Sequence, residues 1–162
     1  MADDLARAFR FRVTLTPSPA AGGTGPGPAL GDGAFQECLG LDLELDVGEY
    51  VEGGRNNGVV QRVGRAKVAR ITLRRGMLYP AGGRVDGALW QWFADVVDGV
   101  RPLRRYDGTV EVLDEQHRPV GTWSFVRGLP AKLVGPALNA RTGEIAIEEL
   151  QIAHEGLRLE VR

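Results

Sequence analysis

The sequence predicts a mainly β protein, an antiparallel β-sandwich or barrel against which one α-helix packs. Short segments with alternating apolar and polar residues recur along most of the chain, which is the period of a half-buried strand. The chain contains 23 glycines, which suit tight connections between strands. Only the segment 87–98 has apolar residues at helical spacing. These observations predict the order β-β-β-α-β-β-β in one mostly antiparallel architecture.

The first strand is expected at Phe9–Leu15, where apolar and polar residues alternate. A Pro/Gly-rich stretch at about 17–33 follows. It is predicted to be a mobile surface loop, the alternative being a loop with a function. A strand pattern resumes at 35–49, with a break near Gly40. The segment 50–63 has the composition of an exposed loop. The segment 65–74 has an imperfect strand period that suggests a bulge or a change of face.

The clearest strand signal is the run 41–47, in which every second residue is apolar. Because side chains alternate across a strand, one face should enter an apolar core and the other should carry three carboxylates in a row. The apolar face consists of Leu41, Leu43, Leu45 and Val47, and the acidic face consists of Asp42, Glu44 and Asp46.

A helix is expected over 87–98, with Asp86 placed to cap it and Gly99 placed to end it. We expect Leu89, Trp92 and Phe93 to anchor this helix on the sheet as core residues. Beyond the helix, the segments 109–113 and 120–126 predict a hairpin, and 144–161 should supply the closing strands.

Composition indicates one domain spanning 1–162, large enough to bury a core. The formal net charge of −1 gives no overall field that would attract nucleic acid or an anionic membrane. No apolar run has transmembrane length, so we expect no membrane insertion by this chain alone. The acidic opening at residues 1–4 is unlike a signal peptide, and Cys38 is the only cysteine. We therefore expect synthesis and folding in a reducing cytoplasm.

The sequence offers no convincing catalytic, cofactor-binding or metal-binding residue. His117 and His154 lack zinc spacing, and Cys38 lies in an apolar strand pattern, where it is expected to pack as a small hydrophobe. Carboxylates along one flat strand do not converge on a cation, so a solvated face is expected there. Basic residues cluster at 101–105, but 20 basic residues balance 21 acidic ones. Contact with another subunit therefore explains this cluster better than sequence-specific nucleic-acid binding.

The residues resemble the phage tail tube protein family, which includes the inner tube proteins of contractile injection systems. The resemblance covers nearly the whole chain in the family's order. Its pieces are 9–13, 33–41, 49–57, 71–76, 89–92, 119–125, 135–140, 144–150 and 154–157. The chain departs from the family in three places: the segment 17–33 is longer than the usual first connection, Val63-Gly64 replaces Pro-Gly, and Arg127-Gly128 stands where the family often has Asn-Ala.

The resemblance implies the tail-tube fold and hexameric rings that stack into a hollow conduit inside a contractile sheath. The implied partners are further copies of the chain, a sheath protein, baseplate or tube-initiator proteins, cap proteins and DNA or protein cargo in the lumen. The resemblance also implies synthesis and assembly in a bacterial cytoplasm and a final location in a phage tail or a virion-like injection particle. No enzymatic activity or cofactor is implied. Whether the particle is a phage, a tailocin or an injection system, and whether the chain is a main tube subunit or a tube initiator, stays open.

Two sets of residues are candidates for roles in such a tube. Asp42, Glu44 and Asp46 are expected to face the lumen, the alternative being that they face outward or contact a neighbouring subunit. The second set is a loop suited to polar contacts between stacked rings or neighbouring subunits, the alternative being an ordinary solvated connection. It consists of Glu52, Gly53, Gly54, Arg55, Asn56 and Asn57.

Two other classes of protein fit the same residues. One is a small β-barrel enzyme or ligand-binding module, such as a flavin-binding barrel, which predicts a monomer or dimer with a pocket. The other is a secretion-ring protein that forms hexamers but stacks only transiently.

Overall fold

A computed structural model describes residues 5–7, 9–19, 30, 35–54, 57–79 and 82–160. These residues form nine strands and one helix. In chain order they are β1 (Phe11–Pro17), β2 (Glu37–Leu39), β3 (Leu43–Tyr50), β4 (Val60–Val68), β5 (Ile71–Gly76), α1 (Ala88–Val97), β6 (Tyr106–Leu113), β7 (Pro119–Val134), β8 (Ile147–Ala153) and β9 (Gly156–Glu160). Of the Pro/Gly-rich segment predicted at 17–33, most residues lie outside the described ones. Leu30 is buried, and its amide donates to the carbonyl of Leu15 at 2.9 Å.

Seven strands form one antiparallel sheet, which confirms the mainly β prediction. The strand order is β1-β6-β7-β8-β5-β2, and β9 pairs with β7 as well. Strand β7 is 16 residues long: its first half pairs with β6 and β9, and its second half pairs with β8. We refer to this sheet and the helix that packs on it as the body of the protein.

Strand β7 passes from one set of partners to the other at residues 127–129. Arg127 lies at this point with φ of 54°, a left-handed conformation that non-glycine residues rarely adopt. The carboxylate of Asp107 stabilises it by accepting a hydrogen bond from the Arg127 amide at 2.9 Å. Asparagine adopts this conformation more readily than arginine, so an arginine here depends on the hydrogen bond that Asp107 accepts.

The core is formed by side chains of this sheet and of the helix. Its most deeply buried side chains come from five different strands and the helix, and they include Leu15, Ile71, Leu89, Val110, Phe125 and Ile152. Gly108 is required by this packing, because a Cβ there would lie 2.1 Å from the Phe125 ring. The core therefore closes around Phe125 with no room for a side chain on the strand opposite it.

Helix α1 begins one residue later and ends one residue earlier than the sequence predicts. Asp86 accepts a hydrogen bond from the Ala88 amide at 3.0 Å, and Gly99 ends the helix with φ of 73°. Leu89 and Trp92 are buried, whereas Phe93 is only partly buried. The buried side chains of Leu89 and Trp92 thus hold the helix against the body.

A buried ion pair also joins the helix to the sheet. Arg75 Nε donates to Glu148 Oε1 at 2.6 Å, and Trp90 Nε1 donates to Glu148 Oε2 at 2.7 Å. Arg75 and Glu148 are 4% and 1% exposed, so their charges compensate each other away from water. Asp86, at 3.4 Å from Arg75, adds a second and more exposed carboxylate.

We expect Glu148→Gln to lower the free energy of unfolding by about 3 kcal/mol, since it leaves Arg75 as an incompletely compensated buried charge. Denaturant unfolding of the two proteins measures this difference. Glu149→Gln is the matched control. It breaks a more exposed pair with Arg74 at 2.7 Å and should cost no more than about 1 kcal/mol. Equal losses for the two variants would contradict a buried role for Glu148.

The hydrogen bond from Arg74 holds the pKa of Glu149 below its usual range. The stability that this pair contributes is therefore present at neutral pH and is lost as acid protonates the carboxylate.

Strands β3 and β4 correct two sequence-based expectations. The predicted loop at 50–63 is shorter than expected, because β3 runs to Tyr50 and β4 already begins at Val60. The predicted strand at 65–74 is two strands, which separate at residues 69–70. Together β3 and β4 form a two-stranded sheet of their own, which we call the hairpin.

The expectation that the apolar face of the run 41–47 enters the core of this chain is also wrong. Leu41 packs against the core, but Leu43, Leu45 and Val47 are 68%, 45% and 52% exposed. All residues of β3 and β4 are exposed except Asp46 and Val60, which are partly buried. The alternation correctly indicates a strand with two different faces, but the body of the same chain does not cover the apolar one.

Candidate assembly surface

The hairpin is a regular antiparallel ladder with one bulge. Leu43 pairs with Val68 and Leu45 with Ala66, whereas Val47 pairs with Val63, so β4 carries one extra residue. Gly64 lies at this bulge, where a Cβ would approach the carbonyl oxygen of Asp46 to 2.4 Å. Glycine at 64 therefore allows the two strands to stay paired through the irregularity.

One face of the hairpin is apolar. It brings together side chains from both strands, namely Leu43, Leu45, Val47, Val63, Ala66 and Val68. Val63 is 84% exposed and Val68 is 36% exposed, so the face is open along its length. A contiguous exposed apolar surface marks a site of interaction. An isolated two-stranded sheet is also only marginally stable in water, so a partner on this face would stabilise it.

The opposite face of the hairpin is polar and carries charges of both signs. The predicted lumen residues Glu44 and Asp46 lie here, and Asp42 is exposed just before β3. Strand β4 adds Lys67, whose Nζ lies 2.7 Å from Asp46 Oδ1, and Arg62, whose guanidinium lies 4.3 Å from the centre of the Tyr50 ring. The three carboxylates therefore do not form a purely acidic face, because β4 places cations beside them.

The tip of the hairpin carries the predicted stacking loop. Glu52, Gly53, Gly54 and Asn57 are exposed, and Gly54 has φ of 90°, which favours glycine. Arg55 and Asn56 lie outside the described residues. The described part of this loop is thus at the surface, at the end of the hairpin away from the body.

The residues that could carry chemistry are separate from one another. The part of the chain that the structure describes contains no group of three or more His, Cys, Asp and Glu residues that could hold a metal ion. Burial raises the pKa of Cys38 to about 11, which opposes formation of a thiolate. His117 is exposed in the β6–β7 turn, while His154 is buried. No helix among the described residues is long and apolar enough to cross a membrane.

The fold is similar to that of proteins in solved contractile particles. A chain in the structure of the anti-feeding prophage baseplate is 22% identical with a TM-score of 0.78, and the match covers 98% of this chain and 97% of that one. A chain in the anti-feeding prophage cap is 21% identical with a TM-score of 0.74, covering 100% and 95%. A chain in the sheath–tube complex of the extracellular contractile injection system PVC is 20% identical with a TM-score of 0.70, covering 98% and 93%. No curated protein sequence matches the chain.

These likenesses define the class: a β body with a projecting hairpin that shares the fold of contractile-particle proteins. The family model for the T4-like virus tail tube protein gp19 matches residues 7–158, and the chain belongs to that family. Its role is accordingly a structural one in the inner tube of a contractile phage tail or a related injection system. The resemblance drawn from the sequence is confirmed.

Proposed function

We propose that the chain assembles through its hairpin into hexameric rings, which stack into a hollow tube inside a contractile sheath. The exposed apolar face of the hairpin is the observation that carries this proposal. Strands β3 and β4 also have outer edges that pair with no other described strand, and such edges attract further strands. A neighbouring subunit would cover both the face and the edges.

A ring follows if each hairpin contacts a different surface of the next subunit. Such head-to-tail contacts form a closed ring when the rotation from each subunit to the next, repeated, returns to the first subunit. Sixfold closure is supported by the similar chain in the anti-feeding prophage baseplate, whose structure was determined with sixfold symmetry. The hairpins would then form one continuous barrel with no free edge.

The polar face of the hairpin would line the lumen, because the apolar face would lie against protein. Asp42, Glu44 and Asp46 are then cargo-facing residues. Lys67 and Arg62 share that face, so the lining would carry both signs of charge. The tip loop around residues 52–57 would contact the next ring along the axis.

Within the particle, the outer surface of the tube would meet the sheath, and its ends would meet the baseplate and the cap. The similar chains come from baseplate, cap and sheath–tube assemblies, which supports these three partners. Cargo would pass through the lumen without chemical change, so the chain would act without enzymatic activity. Assembly would take place in the bacterial cytoplasm before the particle is released.

Sedimentation and negative-stain microscopy of the purified protein, alone and co-expressed with a sheath protein, test this proposal. We expect sixfold rings with a central hole from the chain alone and tubes with the sheath present. Monomers in both preparations would contradict it.

The lumen assignment predicts the result of replacing Asp42, Glu44 and Asp46 together by lysine. Rings should still form, because the apolar face is untouched, and the tubes should gain salt-sensitive binding of short single-stranded DNA. Filter binding at low and high salt measures this effect.

The control carries lysine at three exposed acidic positions outside the hairpin, Glu115, Glu144 and Glu160. It has the same net charge as the lumen variant and should bind much less DNA inside assembled tubes. Loss of folding in the lumen variant, or equal DNA binding by both variants, would place the three carboxylates at an interface or on the outer surface.

A further inference from the structure

The hairpin is joined to the body at one junction. Gly40 and Leu41 lead from β2 into the hairpin, and Ala69 and Arg70 lead from it into β5. Since the strands of the hairpin are exposed almost throughout, the direction in which it leaves the body is decided at this junction. The residues that hold the junction are therefore of interest for assembly.

His154 holds the return strand of the junction. In the β5–β8 ladder Ile71 pairs with Ile152, and the same register continued by two residues places Ala69 opposite His154. The backbone pairing of the two strands has ended at that point. Instead, the His154 side chain makes the next connection, with Nε2 at 2.9 Å from the carbonyl oxygen of Ala69. A side chain thus takes the place of the next ladder hydrogen bond.

The imidazole of His154 is itself held in place. It is buried and packs against the Phe125 ring, with ring centres 5.4 Å apart and planes inclined at 43°. Because a carbonyl oxygen can only accept, Nε2 carries the proton and donates it. Nδ1 is buried without a hydrogen-bond partner among the described residues, as suits an unprotonated ring nitrogen better than a second N–H. The donor is therefore fixed in position by the core.

Gly40 holds the outgoing strand at the same junction. It has φ of 89°, and a Cβ there would lie 1.9 Å from the carbonyl oxygen of Arg70. The two strands are thus packed backbone to backbone where they leave the body. His154 then attaches this packed pair to the core of the sheet.

We propose that His154 is a positioning residue that sets the direction of the hairpin through Ala69, and so sets the geometry of ring closure. The effect on ring closure rests on the proposed function, whereas the effect on the direction of the hairpin does not. A cyclic assembly requires one rotation between neighbours, so a hairpin that leaves the body in varied directions would oppose closure.

Two variants of nearly equal length separate the hydrogen bond from the packing. His154→Gln keeps an N–H donor at the end of the side chain, and His154→Met has similar length without a donor. Both lose the imidazole ring, so a difference between them reports the hydrogen bond to Ala69. His154→Phe keeps an aromatic ring against Phe125 without the donor and serves as the third variant.

Spin labels measure the direction of the hairpin in the monomer, at protein concentrations below those at which rings form. We would place them at Asn57→Cys, on the hairpin tip, and Arg118→Cys, on the β6–β7 turn, in a Cys38→Ala background, and record the distance distribution by pulsed electron spin resonance. One narrow peak is expected for the parent and for His154→Gln, and loss of that peak is expected for His154→Met and His154→Phe. A peak in His154→Met as narrow as that of the parent would overturn the proposal.

Electron microscopy of the same variants, without the labels, tests the consequence for rings. We expect His154→Gln to form rings and His154→Met to remain folded but lose them. Rings from His154→Met equal to those of the parent would overturn the link to closure. If the unsubstituted protein forms no rings, the proposed function fails, and the spin-label distances still decide whether His154 positions the hairpin.

Discussion

Replacing Leu45 and Val63 together by glutamate is expected to abolish rings and tubes while the body stays folded. Both side chains lie on the apolar face of the hairpin, at 45% and 84% exposure, so the substitution removes little packing within the subunit. Two carboxylates buried unpaired against a neighbouring subunit would cost several kcal/mol per contact. Size-exclusion chromatography and negative-stain microscopy would show the loss, and circular dichroism would show the retained fold.

Arg62→Glu provides the matched control for this prediction. It introduces the same side chain on the same hairpin but on the polar face, where Arg62 stacks on Tyr50. Rings should persist in this variant. Rings of normal yield from the Leu45 and Val63 variant would show that the apolar face is not an assembly surface.

Trp92→Ala is expected to lower the free energy of unfolding by about 3–5 kcal/mol, the range measured for large aromatic residues removed from a core. Trp92 is 3% exposed and meets the Tyr106 ring edge-on, with ring centres 4.8 Å apart. Its Nε1 also donates to the carbonyl oxygen of Arg104 at 3.0 Å. The substitution therefore leaves a cavity under the helix and an acceptor without its donor. Denaturant unfolding of the monomer measures the loss.

Val97→Ala is a suitable comparison on the same helix, because Val97 is 70% exposed. A surface substitution of this kind should change stability by no more than about 0.5 kcal/mol. If Trp92→Ala were as mild as Val97→Ala, the helix would not be anchored on the body through Trp92.

The sequence predicted those parts of the fold in which strands pair and pack within the same chain. Periodicity and capping residues predicted the first strand, the antiparallel pair of β6 and β7, and the single helix. The structure has all three. Periodicity also correctly indicated two faces in the run 41–47. It could not show what covers the apolar face, because a neighbouring subunit can cover it as well as a core can.

The buried pair of Arg75 and Glu148 was missed because charged residues are rarely fully buried. A signal was nevertheless present. Arg75 has the same parity as the buried Ile71 and Leu73, and Glu148 has the same parity as the buried Leu150 and Ile152. Opposite charges at inward-facing positions of two strands indicate an internal ion pair if those strands are neighbours in the sheet.

The candidate lumen face was predicted from β3 alone, and the register with β4 changed its character. Asp46 lies beside Lys67 only because β4 folds back along β3, and the bulge at Gly64 shifts that register by one residue. A period within one strand carries no information about such a partner. The role of His154 at the hairpin junction depends in the same way on strands far apart in the sequence.

In the proposed assembly, the hairpin joins subunits into a ring and presents its polar face to the central channel. Cryo-electron microscopy of the purified protein at side-chain resolution tests it most directly. We expect sixfold rings whose β3 and β4 strands form a continuous barrel, with the apolar face against protein and Glu44, Asp46 and Lys67 at the channel. A monomer with the hairpin exposed at every concentration, or a ring with its hairpins on the outside, would contradict it.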